Sequence, residues 1–213
     1  MLKNIKLVIF DLDGTLVDAY DAIIDSFNYM MKRLRLPAVE PLAIRRAVGW
    51  GDKMLLSPFM KKNILSKALD IYRPHHKVSL LKKSHLIYGA KGILKYLKAK
   101  GYKLAVASNR PSEFSKILMK HLKIDKFFDF MLCGDQLKKG KPDPEIIIKI
   151  MDFFSVAKSQ TVYIGDMIVD VQAAKRAKVN SVAVLTGSSS EEEIKKEKPN
   201  YIFKDVRYLK SIL

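Results

Sequence analysis

Asp11 and Asp13 stand one residue apart directly after the apolar run 5–10, with Gly14 and the hydroxyl of Thr15 behind them. Two carboxylates this close repel each other, and a chain gains from keeping both when a cation, a shared proton or a phosphoryl transfer uses them. An Asp-x-Asp after a strand also serves as a turn former or a helix cap, so the pair alone leaves both readings open. Three further groups follow later apolar runs. Ser108 and Asn109 close the run 104–107 and offer a small hydroxyl and an amide to a phosphoryl oxygen, or an ordinary cap to the next helix. Lys141 sits in Lys138-Lys139-Gly140-Lys141-Pro142-Asp143-Pro144-Glu145. The proline after it biases it toward extended backbone, so its ammonium can be aimed as a fixed charge; the alternative is a solvated basic loop. Asp166 and Asp170 follow Tyr163-Ile164-Gly165, and a helix beginning between them turns both toward the strand end. Hard oxygen donors of this kind suit Mg2+, whereas each acid singly could cap a helix.

These groups need a common floor, and the apolar runs supply one. The run 5–10 is apolar except for Lys6, which fits a strand buried on both faces at the centre of a parallel sheet. In open α/β sheets ligands bind beyond the carboxyl ends of the strands, which is where the four groups fall. Further strands are predicted at 103–107, 128–133, 161–164, 181–185 and 201–203. Helical stripes lie between most of them: Ile93, Leu94 and Leu97 before Gly101; Phe114, Ile117, Leu118 and Leu122; Ile146, Ile147, Ile150 and Phe153; Val171, Ala174 and Ala177. Alternation of this kind predicts a doubly wound, mostly parallel α/β sheet. From Asp18 to His85 no strand is evident, and Ile23, Ile24, Phe27, Met30, Met31 and Leu34 form a helical stripe ending before Pro37. The expected division is an α/β core of residues 1–17 and 86–213 carrying an all-helical cap of residues 18–85 over the catalytic strand end. The polar run 187–193 reads as a loop leading into a capped helix.

With 213 residues, 48% of them hydrophobic, the chain can bury a full core. No run approaches the ~18 apolar residues of a membrane span, and the first residues read as a strand and not as a signal peptide. Cys133, the single cysteine, leaves no disulfide framework and no cysteine zinc site. The expected location is therefore the cytoplasm, with no membrane partner. The formal charge of +17 is spread along the chain at helix-surface spacing, as at Lys91, Lys95, Lys98 and Lys100, with no basic tail. That distribution argues against a nucleic-acid module, although the field would draw phosphate anions toward a cleft.

In order and spacing, Asp11-Leu12-Asp13-Gly14-Thr15, Ser108-Asn109, Lys141 within Gly140-Lys141-Pro142-Asp143-Pro144, and Gly165-Asp166 with Asp170 resemble the four motifs of the haloacid dehalogenase-like superfamily. The similarity spans nearly the whole chain and falls in the phosphoglycolate phosphatase-like branch with a helical cap. Two positions depart from the family pattern: Tyr88-Gly89-Ala90 stands where tyrosine-proline-glycine is usual, and Ala177-Lys178 where alanine-glycine is usual. The resemblance implies a Rossmann-like core and a Mg2+-dependent phosphatase. Asp11 would form an aspartyl phosphate, and Asp13 would protonate the leaving alcohol and then activate water, oriented by Thr15. Mg2+ would be bound by Asp11, Asp166 and the Asp13 carbonyl, with Asp170 in support. Lys141, Ser108, Asn109 and the backbone of Leu12, Gly14 and Thr15 would hold phosphoryl oxygens. Asp13 argues against carbon–halogen cleavage, because a halide leaves without a proton.

Cap specificity is expected from the segment holding Trp50 and Lys53, although Trp50 reads first as part of the cap's own core. A mutase of the β-phosphoglucomutase type, a pyrophosphatase or a nucleotidase would share the same floor. A receiver-like phospho-acceptor domain fits poorly, because receivers are short and lack a helical insertion. The partner expected is a small phosphorylated metabolite, and the chain a monomer or homodimer.

Overall fold

The computed structural model describes residues 2–213. In chain order the core opens with β1 (Leu7–Phe10) and β2 (Val17–Asp18). Four helices follow, α1 (Tyr20–Arg33), α2 (Pro41–Ala47), α3 (Asp52–Leu56) and α4 (Leu65–Lys83), and then β3 (His85–Leu86). Strand and helix alternate from there through α5 (Ala90–Ala99), β4 (Lys103–Ser108), α6 (Ser112–His121), β5 (Phe130–Cys133), α7 (Glu145–Phe154) and β6 (Thr161–Gly165). The chain continues with α8 (Ile168–Ala177), β7 (Asn180–Val184), α9 (Glu191–Lys196) and β8 (Tyr201–Phe203).

Six strands form one parallel sheet in the order β5-β4-β1-β6-β7-β8. All four residues of β1 are fully buried, and they divide by the alternation of a strand. Val8 and Phe10 pack with Leu94, Leu97, Phe114 and Leu118 on one face. Leu7 and Ile9 pack with Ile146, Ile147, Ile150 and Ala174 on the other. Fully burying each such side chain contributes about 1.5–3 kcal/mol, which makes β1 a firm anchor for the residues after it. Phe10 is in register with Val106 of β4 and Ile164 of β6, so three strands release the chain at one level.

Helices α1 to α4 build an apolar cluster of their own from Phe27, Met30, Ile44, Leu56, Ala68 and Tyr72. The chain passes to and from these helices through β2 and β3, which pair antiparallel, Val17 with Leu86 and Asp18 with His85. Two residues are too few to show a period of two, so the segment reads as wholly helical in the sequence. Among the described residues no helix is long and apolar enough to cross a membrane.

Candidate active site

Asp11 leaves β1 with its N–H donated to the Ile164 carbonyl at 2.8 Å, which fixes it against β6. Asp166 follows β6, and Asp170 lies in the first turn of α8, where its Oδ2 accepts the Met167 N–H at 3.0 Å. One oxygen from each of Asp11, Asp166 and Asp170 lies within 4.8 Å of the others, and all three residues are buried. Close approach is possible because Gly187 has no side chain: a Cβ there would overlap the Asp166 carboxylate.

Lys141 enters this group from the loop before α7, its side chain 2% exposed. Its Nζ lies 2.6 Å from Asp11 Oδ1, 2.7 Å from Asp170 Oδ1, 2.9 Å from the Tyr163 hydroxyl and 3.1 Å from the Ala107 carbonyl. Burial works against its charge, but Asp11 and Asp170 hold the ammonium well above the ordinary lysine range. Burial pushes the Asp11 carboxyl up to about 7, against the pull of Lys141. Burial also raises Asp166 well above the usual carboxylate range, with Asp170 and Asp11 adding to the rise. Three buried carboxylates against one ammonium leave a surplus of negative charge. Beside Asp166, the buried Tyr20 hydroxyl and Ser188 Oγ have no hydrogen-bond partner among the described residues. Hard oxygen donors with surplus charge fit a hard divalent cation.

Several expected contacts are replaced by others. Thr15, expected to orient Asp13, donates its hydroxyl to Asp166 Oδ1 at 2.9 Å. The cause is the left-handed turn at Gly14, φ +78°, which folds Thr15 into the interior toward β6 while Asp13 faces the end of β4. The N–H groups of Gly14 and Thr15 close that turn on the Val17 and Leu12 carbonyls. Of the three backbone groups expected to hold phosphate, only that of Leu12 lacks such a partner among the described residues. Asn109 is also committed. Its amide donates to the Gly49 carbonyl at 2.8 Å and the Lys141 carbonyl at 3.0 Å, and it accepts the Lys141 N–H at 2.8 Å. It therefore fastens the Lys141 loop and the segment between α2 and α3 to the end of β4, where a phosphate contact was expected. Ser108 Oγ accepts the Arg110 N–H at 3.2 Å, and α6 is capped instead by Asp135.

Trp50 is 39% exposed and lies outside the apolar cluster of the insertion, which overturns its reading as cap core: Gly49 and Gly51 on either side have φ +106° and +86°, and this bent backbone carries the indole outward. Trp50 and Lys53 line an open groove that reaches Lys141, while a tighter cavity of about 50 Å³ is lined by Asp11, Asp13, Ser108, Leu55, Tyr72 and His76. Arg110 also lines the tighter cavity and binds Asp13 through two nitrogens, at 2.6 and 2.8 Å. Sequence reasoning passed over both Arg110 and His76. The available signal was Arg110 itself, a cation directly after the strand-end pair Ser108-Asn109.

A family model described as haloacid dehalogenase-like hydrolase matches residues 8–184. A phosphoglycolate phosphatase of Pseudomonas fluorescens is 31% identical over 96% of this chain and 78% of its own length. That of Nitrosococcus oceani is 29% identical, covering 100% of this chain and 98% of its own. Among solved structures, a predicted phosphoglycolate phosphatase from Haemophilus somnus superposes with a TM-score of 0.93 at 27% identity, over 100% of this chain and 99% of that one.

Proposed function

The chain belongs to the haloacid dehalogenase-like hydrolases, and from that premise we propose that it is a Mg2+-dependent phosphatase acting on a small phosphomonoester through an aspartyl phosphate on Asp11. One observation carries the reading. Lys141 Nζ fixes Asp11 Oδ1 at 2.6 Å at the floor of the cavity, and among the described residues no donor engages Oδ2, which is left to attack phosphorus.

In the first step the bond from Asp11 Oδ2 to phosphorus forms as the bond to the leaving oxygen breaks, and Asp13 gives that oxygen its proton. In the second step water attacks the phosphorus, passes its proton to Asp13 and releases inorganic phosphate, restoring the Asp11 carboxylate. Lys141, Ser108 and the Leu12 N–H hold the equatorial oxygens on which charge is spread, and Asn109 holds Lys141 in place. Mg2+, held by the Asp11 and Asp166 carboxylates and the Asp13 carbonyl with Asp170 behind them, would offset the repulsion between nucleophile and phosphate. Residues 18–85 act as the cap, and the cavity they close against Asp11 and Asp13 limits the leaving group to a short one. The activity of the relatives makes phosphoglycolate the first substrate to try.

Phosphate release from p-nitrophenyl phosphate, phosphoglycolate and other small phosphoesters tests this, with Mg2+ or EDTA, for wild type beside Asp11→Asn. Metal-dependent release that Asp11→Asn abolishes without unfolding is the expected result. No release from any ester by folded, metal-loaded protein would overturn the reading.

A further inference from the structure

Arg110 follows β4, and its guanidinium meets Asp13 as a fork: Nε donates to Oδ2 at 2.8 Å and Nη2 to Oδ1 at 2.6 Å. The same guanidinium reaches across to the insertion, where Nη1 lies 3.1 Å from Nε2 of His76 on α4. A guanidinium only donates, so His76 Nε2 accepts and its proton resides on Nδ1, 3.3 Å from Ser26 Oγ on α1. Ser26 in turn donates to the Ala22 carbonyl at 2.8 Å, which leaves its oxygen free to accept. The His76 ring is stacked on Tyr72 and meets Phe114 edge-on, so its plane is fixed from both sides. Burial and then the charge of Arg110 hold the imidazole well below its ordinary range, in the neutral form this arrangement needs. A hydrogen-bonded line therefore runs from Ala22 through Ser26, His76 and Arg110 to Asp13, and His75 joins it at Ser26, its Nδ1 3.2 Å from the same Oγ.

We propose that Arg110 is a positioning residue for Asp13, and that His76 is the brace through which the helical insertion sets Arg110. The inference rests on the acid and base role given to Asp13 above. A bidentate guanidinium fixes both the position and the plane of a carboxylate, which a single ammonium does not. Each Asp13 oxygen retains a second lone pair, so proton transfer remains open while the carboxylate is held. Proton transfer needs hydrogen-bond reach to the leaving oxygen, and small misplacements there are expensive. The pair therefore acts on proton delivery and leaves the attack by Asp11 untouched. It also makes that delivery depend on the insertion being seated, because the brace comes from α4.

A merely structural ion pair would slow every substrate alike, and leaving-group chemistry separates the two roles. p-Nitrophenolate departs without a proton, whereas an alkoxide needs one. The experiment compares kcat/KM for p-nitrophenyl phosphate with that for the best alkyl phosphomonoester. The variants are Arg110→Lys, Arg110→Ala with and without added guanidinium, and His76→Gln, each repeated in an Asp13→Asn background and checked for folding by circular dichroism. Arg110→Lys is expected to lose at least ~10-fold more on the alkyl ester than on the aryl ester, part of the ~10²–10⁴-fold that a placed acid contributes. His76→Gln should show the same bias at smaller size, and guanidinium should restore the alkyl rate of Arg110→Ala. In the Asp13→Asn background the bias should vanish. Equal losses on both esters, or a bias that survives Asp13→Asn, would overturn the positioning role while leaving the phosphatase reading intact. Absence of wild-type turnover on both esters would instead overturn that reading and the inference with it.

Discussion

The floor of the cavity and its wall are both buried and charged, but they are balanced differently. On the floor, Asp11, Asp166 and Asp170 face one ammonium, that of Lys141, and burial, with the neighbouring carboxylates adding to it, makes Asp11 and Asp166 hold protons more tightly. On the wall, one carboxyl, that of Asp13, faces one guanidinium beside a neutral imidazole, so acid and base groups are matched in number. A group with surplus negative charge invites a cation; a balanced one keeps its geometry. On the proposed mechanism the floor is where charge is handled, and the wall is where a proton is aimed.

Removing the ammonium breaks this contrast most severely. Lys141→Ala should lower kcat for phosphate release by about 10²–10³-fold, as loss of an oxyanion donor does, and leave Asp11 and Asp170 buried against each other. A steady-state rate within a factor of a few of wild type would show that the floor does not use Lys141. Completing the floor comes next. Mg2+ at a hundred times its dissociation constant should stabilise the fold by about 2.7 kcal/mol, near 5–10 °C in the midpoint of a chain this size, and Asp166→Asn should abolish most of that shift.

The wall predicts a pH effect of lesser size. Unfolded His76 takes a proton near pH 6.5 and folded His76 resists it, so the unfolded state binds more protons as pH falls from 7 toward 5. Stability from this group is present above pH 6.5 and is lost below it, at up to about 1.4 kcal/mol per pH unit. The thermal midpoint of wild type should therefore fall more steeply than that of His76→Gln over pH 7 to 5; parallel curves would contradict a neutral, buried His76. The smallest effect belongs to Trp50, outside both regions. Trp50→Ala should change stability by no more than about 0.5 kcal/mol by denaturant unfolding, because its ring packs in no apolar cluster among the described residues.

The same division governs what could be read from the sequence. Floor residues directly follow strands or open a helix, so a run of apolar residues ending in Asp11 or Asp166 announces its own position. Lys141 is legible as a charge before a proline, though not its grip on Asp170, which depends on α8 lying beside the end of β6. The wall joins residues 13, 76 and 110, whose meeting depends on how the insertion seats, and no local pattern encodes that. His76 on its helix reads as one more half-polar position. Thr15 shows the limit at short range: its neighbour in sequence is close to Asp13, but one left-handed glycine sends its hydroxyl to Asp166.

The ribbon of β2 and β3 has a mechanical meaning. The outgoing and returning strands cross side by side and are bonded to each other, so they behave as one leaf and not as two independent tethers. A leaf bends readily across its thin direction and resists shear along its length, so any travel of residues 20–83 would be confined to a rocking about one axis. It also couples the lengths of the two crossings. Deleting one residue from a single strand would slip Val17 off Leu86 and turn the following side chains to the opposite face, whereas a matched deletion from both would shorten the leaf and keep its register.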